Sequence, residues 1–294
     1  MPKRESRVSM KKERLFISPG KVRVEYSFEN ESDADVTTQI AFPVPEYAYP
    51  WESPTKDFSD FKLWVDGSPV PFQTEAHAFT KGKDQTEILQ KLGITVENFG
   101  GFDHYDTSRR NGVDYFRHYQ VSELTLQQQE QLIGLGLIEG GNSFNRLVPR
   151  WSVRKAYYWT QRFPAKQVVV IRHEYSPVIG SKQVKAEDVR REIDGSCVSG
   201  DLAERIRLDE SRDNHELIYA GWVDYILTTA NTWKTPIKEF ELIVEISPIA
   251  RSIPTPKYMS FCWNGRSEIS YGNALSVRAI DFVPSKELKV YFFW

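Results

Sequence analysis

Histidines and acidic residues are the first candidates for chemistry in this sequence. Only five histidines occur among its 294 residues. His104, Asp106 and His118 share one irregular stretch, and their side chains are of the types that bind zinc and similar metals. Their spacing matches no compact ligand motif, so solvated loop residues are the alternative interpretation. We keep a metal-binding module as an alternative function.

Paired carboxylates are a second possible source of chemistry. Asp103 and Asp106 lie in the same stretch, and Asp209 and Glu210 lie in LDESRDNHE, which we interpret as a charge-rich turn. Hydrolysis by two carboxyl groups requires them to lie about 5–10 Å apart. The sequence does not show which of them meet. An envelope hydrolase is therefore a further alternative.

His173 and Glu174 lie in a predicted strand, VVVIRHEY. Neighbouring strand residues point to opposite faces, so the two cannot line one site without a bulge. We interpret His173 as a surface residue or a hydrogen-bonded core residue.

The common catalytic motifs are missing. The sequence contains no GxSxG, no HExxH, no glycine-rich phosphate loop after a strand, and no cysteine beside a histidine. The sequence therefore predicts no catalytic residues and no cofactor, and it favours a protein that is not an enzyme.

Aromatic residues are the remaining candidates for binding. Tyr47, Tyr49 and Trp51 surround prolines just after the segment FPVPE. Exposed tyrosine and tryptophan side chains can stack on a sugar ring or anchor a partner protein. The alternative is that they cover the end of a hydrophobic core. We predict these three as binding residues.

The two cysteines, Cys197 and Cys262, fit either a disulfide bond or two reduced core thiols. The residues alone leave both possibilities open.

The elements that would position these residues are mainly β-strands. In Lys21–Asn30, apolar residues alternate with charged ones, which is the period of a half-buried strand. Phe61–Val65 and Val70–Ala76 read as a hairpin whose turn, Asp66–Pro69, is longer than two residues. Six strand-like runs follow between residues 153 and 293.

The middle of the chain has a different character. Asp84–Glu87 and Thr125–Gln128 read as capping boxes, each opening a short helix. We predict an α+β fold dominated by antiparallel sheet. Its parts are an N-terminal β-sandwich (1–83), a partly helical insertion (84–142) and a C-terminal β-sandwich (143–294).

Composition excludes several classes of protein. The net charge of −2 offers no basic surface for nucleic acid. No apolar run approaches the ~20 residues of a membrane helix, so we predict no transmembrane segment. The basic start lacks the apolar stretch of a secretory signal. Either the protein is cytosolic, or a signal peptide was removed from the mature chain.

Several segments together resemble one family of bacterial exported proteins, domain of unknown function 4424. The matching segments, in order, are Ser9–Ser18, Lys21–Glu46, Trp159–Gly180, Tyr225–Glu245, Ser260–Trp263 and Asp281–Phe293. The resemblance implies export with a cleaved signal, and it implies pairing of the two cysteines. It supplies no catalytic or ligand-binding residues.

We therefore expect a periplasmic or secreted binding or scaffolding protein of the bacterial envelope, without catalytic activity. Its expected partner is a glycan or another envelope protein. The sequence does not determine the ligand, the oligomeric state or the biological pathway.

Overall fold

The computed structural model of the chain describes residues 5–48, 57–58, 60–97, 105–110, 113–118, 124–139, 148–195, 197–212, 217–248, 253–263, 266–270 and 274–294.

The described chain is mainly β-strand, as predicted. Its strands are β1 (Val8–Ser18), β2 (Lys21–Asn30), β3 (Val36–Pro43), β4 (Tyr47–Ala48), β5 (Lys62–Val65), β6 (Ser68–Pro69), β7 (Gln73–Thr80), β8 (Lys83–Asp84), β9 (Tyr105–Arg110), β10 (Val113–His118), β11 (Ile138–Glu139), β12 (Val148–Pro149), β13 (Ser152–Phe163), β14 (Val168–Tyr175), β15 (Gly180–Lys185), β16 (Leu217–Tyr225), β17 (Ile237–Glu245), β18 (Tyr258–Trp263), β19 (Arg266–Ser270), β20 (Ala274–Phe282) and β21 (Leu288–Phe293).

Short helices connect some of these strands. They are α1 (Thr86–Lys91), α2 (Leu126–Gly134), α3 (Val189–Glu192) and α4 (Gly200–Arg212), with 3₁₀ turns at Ala186–Asp188 and Thr228–Thr232. Within the described ranges, none of these helices has the length and apolar character needed to cross a bilayer.

The chain forms two compact units. The larger contains residues 1–42, 58–73 and 158–294, and the smaller contains residues 43–57 and 74–157. This division differs from the predicted linear one because strands from both ends of the chain share a single sheet. The N-terminal and C-terminal strands therefore do not form separate sandwiches.

That sheet has seven strands in the order β20-β17-β1-β2-β14-β5-β6. Strand β1 pairs in parallel with β17, and the neighbouring pairs are antiparallel. The alternation predicted for β2 is confirmed, because Val22 and Val24 are fully buried while Arg23 and Glu25 are exposed. A buried inner face thus runs across the centre of the sheet.

The turn between β5 and β6 corrects one prediction. Val65 pairs with Ser68, so the loop has only two residues, Asp66 and Gly67. Both have positive φ angles, 48° and 80°, as the tightest hairpin turns require. Pro69 lies in the edge strand β6, a position where its missing N–H costs no ladder hydrogen bond.

The larger unit also contains a five-stranded sheet in the order β15-β16-β21-β18-β19. Helix α4 packs on a core cluster with this sheet through Leu202 and Ile206, both fully buried. The interpretation of Leu208–Glu216 as a turn was wrong up to residue 212, because α4 continues through Arg212. The apolar spacing at i and i+4 was the missed signal.

Cys197 and Cys262 form a disulfide bond with 4.8 Å between their Cα atoms. It joins the segment before α4 to β18, and the two residues belong to the same core cluster. The pairing implied by the family resemblance is thereby confirmed.

The smaller unit contains the two helices predicted for the middle of the chain. At α2 the capping box is confirmed, because Thr125 and Gln128 bond each other's backbone N–H groups. The capping box proposed for Asp84–Glu87 was wrong, because α1 begins after Gln85 without a side-chain cap. Asp84 instead accepts a hydrogen bond from the backbone of Thr86 at 2.8 Å.

We predict that the disulfide contributes strongly to stability. Replacing both cysteines by serine should lower the free energy of unfolding by about 2–4 kcal/mol, because the unfolded chain would regain a long unconstrained loop. Urea unfolding of the double variant measures this loss, and the reduced wild type is its control. Two titratable thiols in the unreduced, unfolded wild type would contradict the bond.

Candidate functional site

Of the three predicted aromatic binding residues, the structure describes only Tyr47. Tyr47 is on β4, and its side chain is only 6% exposed. It is therefore part of the core of the smaller unit and offers no face to an external partner. Tyr49 and Trp51 lie outside the described residues, so their role stays a prediction.

The predicted metal site is only partly described. His104 lies outside the described residues, while Asp106 and His118 lie on β9 and β10. These two strands pair with each other, and their register places Asp106 opposite Arg117 and His118 opposite Tyr105. Asp106 and His118 are therefore not directly opposite each other. The prediction of a metal site here stays untested.

In the described ranges, the sole group of three metal-ligand side chains is Asp194, Cys197 and Cys262. Its two sulfur atoms are already joined in the disulfide.

Two of the candidate hydrolase residues take part in structural contacts. Glu210 is buried and forms a 2.9 Å ion pair with Lys257. Its neighbour Asp209 accepts a hydrogen bond from the hydroxyl of Tyr258. Asp103 lies outside the described residues, and Asp106 is described only by its backbone. These contacts account for Asp209 and Glu210 without catalysis.

A different site appears inside the larger unit, where a cavity of about 450 Å³ lies against its sheets. Strands β1, β2 and β14 contribute inward-facing residues. Strands β3 and β13, Glu5 before β1 and the segment around the second 3₁₀ turn supply the rest of the wall. This volume lies within the range of small-molecule sites.

Glu13 reaches this cavity because of the strand period and a β-bulge. The pairing of β1 with β2 shifts register between Met10 and Lys12, which leaves both Met10 and Glu13 on the inner face. Glu13 is therefore in phase with Leu15 and Ile17, which are fully buried. An acidic residue occupies a position that the pattern assigns to the core.

Two tyrosines connect Glu13 to the second sheet of the larger unit. The Tyr225 hydroxyl, on β16, donates to Glu13 Oε1 at 3.1 Å. The same hydroxyl shares a 2.8 Å hydrogen bond with the Tyr26 hydroxyl, on β2. Glu13 is 2% exposed, and burial raises its pKa to about 8 even though the bond from Tyr225 lowers it. The carboxyl group therefore carries a proton over most of the neutral range.

His173 is the second buried polar group at this cavity. It is 1% exposed, and neither ring nitrogen has a hydrogen-bond partner among the described residues. The ring centroids of Phe42 and Phe61 lie 4.0 and 5.4 Å away. Burial lowers the pKa of His173 to about 3, so the imidazole is neutral. A neutral imidazole offers one donor and one acceptor.

The remaining wall is rich in apolar and aromatic side chains. It includes Met10, Phe28, Phe42, Trp159, Ile171 and Trp233. Phe28 and Trp233 touch, with ring centroids 4.4 Å apart. A mostly apolar cavity with a few convergent polar groups is the usual arrangement of a small-molecule site.

Sequence reasoning placed His173 correctly in a strand, but it missed the cavity and did not consider Glu13. The available signal was the phase of each strand, because Glu13 shares the face of Leu15 and Ile17, and His173 shares the face of Ile171 and Tyr175. The prediction of a hydrogen-bonded or exposed His173 was wrong, since the ring is buried without a partner among the described residues.

The family model for domain of unknown function DUF4424 matches residues 2–291, nearly the whole chain. The chain belongs to the DUF4424 family. This confirms the resemblance found in the sequence segments.

Other comparisons add little to this assignment. None of the curated proteins matches this DUF4424 chain. A solved structure from Legionella pneumophila, described as a candidate nutrient-binding protein, aligns with 99% of this chain and 68% of its own, at 16% identity and a TM-score of 0.44. Similarity at this level carries no argument about function.

The buried acid makes the stability of this DUF4424 protein depend on pH. The folded state keeps the proton of Glu13 up to a pKa of about 8, whereas the ordinary value is 4.5. Stability should therefore fall as pH rises through this window, by about 1.4 kcal/mol per pH unit. The free energy of unfolding of Glu13→Gln, taken relative to that of the wild type, should therefore increase by roughly 2–4 kcal/mol as pH rises from 5 to 8.

Urea unfolding at several pH values measures this difference. Glu25→Gln is the matched control, because Glu25 is exposed on the neighbouring strand. The stability of this variant relative to the wild type should change little with pH. Parallel pH curves for the wild type and Glu13→Gln would contradict the prediction.

The unpartnered imidazole should also cost stability. His173→Phe should raise the free energy of unfolding by about 1–3 kcal/mol at pH 7, because it removes two buried polar atoms and keeps a ring. The pKa of His173 is lowered from 6.5 to about 3, so the wild type should also lose stability as pH falls between those values. That acid sensitivity should be weaker in His173→Phe.

Tyr175→Phe is the matched control for this variant. Its hydroxyl is likewise buried without a partner among the described residues, but Tyr175 does not line the cavity. The Tyr175→Phe variant should be stabilised as His173→Phe is, but it should still lose stability at low pH as the wild type does. A clear destabilisation of His173→Phe in urea unfolding would show that the imidazole has partners in solution.

Proposed function

We propose that this DUF4424 protein is a non-catalytic binding protein that holds a small amphiphilic molecule in the cavity of its larger unit. The observation that carries the proposal is His173, a buried side chain at the cavity wall with two ring nitrogens that lack partners among the described residues. A buried polar group without a partner is costly. A ligand that bonds to the imidazole would remove that cost.

The proposed place of action is the periplasm or the extracellular space. The Cys197–Cys262 disulfide supports this location, since such bonds persist mainly in oxidising compartments. The sequence-based partners, a glycan or an envelope protein, were argued from Tyr47, Tyr49 and Trp51. With Tyr47 buried, we favour a ligand small enough to enter the cavity.

Hydrolysis by two carboxylates deserves comparison, because Glu5 and Glu13 both line the cavity. The pKa of Glu5 is lowered, chiefly by its hydrogen bond to Arg7. Arg7 donates to both of its carboxylate oxygens, each at 2.9 Å. Because this carboxylate is already fully engaged by a guanidinium group, a binding role fits the cavity better.

A neutral fluorescent probe can test whether the cavity binds small molecules. N-phenyl-1-naphthylamine should become brighter on binding the wild type. Thr38→Trp should weaken its binding by at least about tenfold, because Thr38 lines the cavity and an indole ring would occupy it.

Thr37→Trp is the matched control. Thr37 is the exposed neighbour on β3 and does not line the cavity, so this variant should bind like the wild type. Equal binding by both variants, or no brightening with the wild type, would count against the proposal.

A further inference from the structure

The chemistry of the cavity wall narrows the class of ligand, and this step rests on the proposed function. The carboxyl groups that line the cavity belong to Glu5 and Glu13. No lysine or arginine of the described chain forms an ion pair with Glu13 or lines the cavity. A bound carboxylate or phosphate would therefore meet a buried acid and no positive charge.

The titratable groups that bond Glu13, directly or through Tyr225, or that line the cavity with it are all uncharged or acidic. Tyr26 lies on β2, Tyr225 on β16 and His173 on β14, while Glu5 belongs to the segment before β1 and is paired with Arg7. Burial raises the pKa of both tyrosines well above the usual value and lowers the pKa of His173 to about 3. None of these three side chains is therefore charged at neutral pH. Glu13 thus lacks an internal counter-ion.

Aromatic rings surround the same space. Tyr26, Phe28, Phe42, Trp159 and Trp233 all line the cavity. The faces of such rings attract cations, most strongly where water is excluded. An acid together with several aromatic rings is the arrangement that recognises ammonium groups.

We infer that the cavity binds a small organic amine as its ammonium ion, with Glu13 as the counter-ion and the aromatic rings around the cationic group. The Tyr225 hydroxyl holds one oxygen of Glu13 in place. The apolar part of the ligand packs against Met10, Ile171 and the rings.

Binding should release a proton. The free protein holds a proton on Glu13 because burial raises its pKa to about 8, and an ammonium ion favours the carboxylate. The alkylammonium group itself stays protonated, since primary amines titrate near pH 10. Affinity for an ammonium ion should therefore rise by roughly twentyfold from pH 6.5 to pH 8.5, as the fraction of free protein with ionised Glu13 increases.

Isothermal titration calorimetry with four probes of equal chain length tests this inference. Octylamine and octyltrimethylammonium carry a positive charge, octanol is neutral, and octanoate is negative. At pH 7.5 the wild type should bind the two cations at least about tenfold more tightly than the other two probes. Titrations of octylamine in two buffers of different ionisation enthalpy should reveal the released proton.

Substitutions at the cavity test whether the preference for cations arises there. Glu13→Gln should lose about tenfold in affinity for both cations and keep its affinity for octanol, whereas the exposed control Glu25→Gln should behave like the wild type. Thr38→Trp should weaken binding of all probes.

Equal or tighter binding of octanol or octanoate would overturn the amine inference and leave the binding function standing. A cation preference that survives Glu13→Gln would overturn it as well. Failure of all four probes would overturn the amine inference, and the naphthylamine experiment would then show whether the cavity binds anything.

Discussion

Strand β1 is the constraint on which the larger unit depends. It is hydrogen-bonded along both edges, to β2 on one side and in parallel to β17 on the other. Because β17 comes more than two hundred residues later in the chain, this pairing joins the two ends of the sequence in one sheet. The face that β1 shares with β2 and β14 then becomes a wall of the cavity. A one-residue shift of register in β1 would turn Glu13 away from it.

The cavity lining departs from the usual pattern of a hydrophobic core, in which inward-facing residues are apolar. Glu13 and His173 occupy inward positions in line with buried apolar residues, Leu15 on β1 and Ile171 on β14. Neither has a charged partner among the described residues, and the two nitrogens of His173 have no hydrogen bond there. Buried polar groups of this kind lower stability. Departures from core patterning concentrate at functional sites, which is why these two residues direct attention to the cavity.

The second sheet of the larger unit contributes to the same site from a distance. Tyr225 stands at the end of β16, a strand bonded to β15 and β21. Its hydroxyl bonds both Glu13 and Tyr26, so the Glu13 carboxyl group of one sheet is bonded to a side chain of the other. The disulfide and helix α4 secure the sheet that carries this tyrosine. The orientation of one carboxyl group thus depends on elements from both ends of the chain.

Local patterns in the sequence determined much of the secondary structure, since alternation in Lys21–Asn30 and Val168–Tyr175 follows from the strand period alone. Family membership was also readable from the sequence segments. The site was not, because Glu13, His173 and Tyr225 lie on strands that meet only through long-range pairing. The sequence shows that each of the three stands two positions from an apolar residue of its strand. Only the tertiary structure decided that Glu13 and His173 line one cavity and that Tyr225 bonds Glu13 there, because register and sheet order depend on contacts between distant segments.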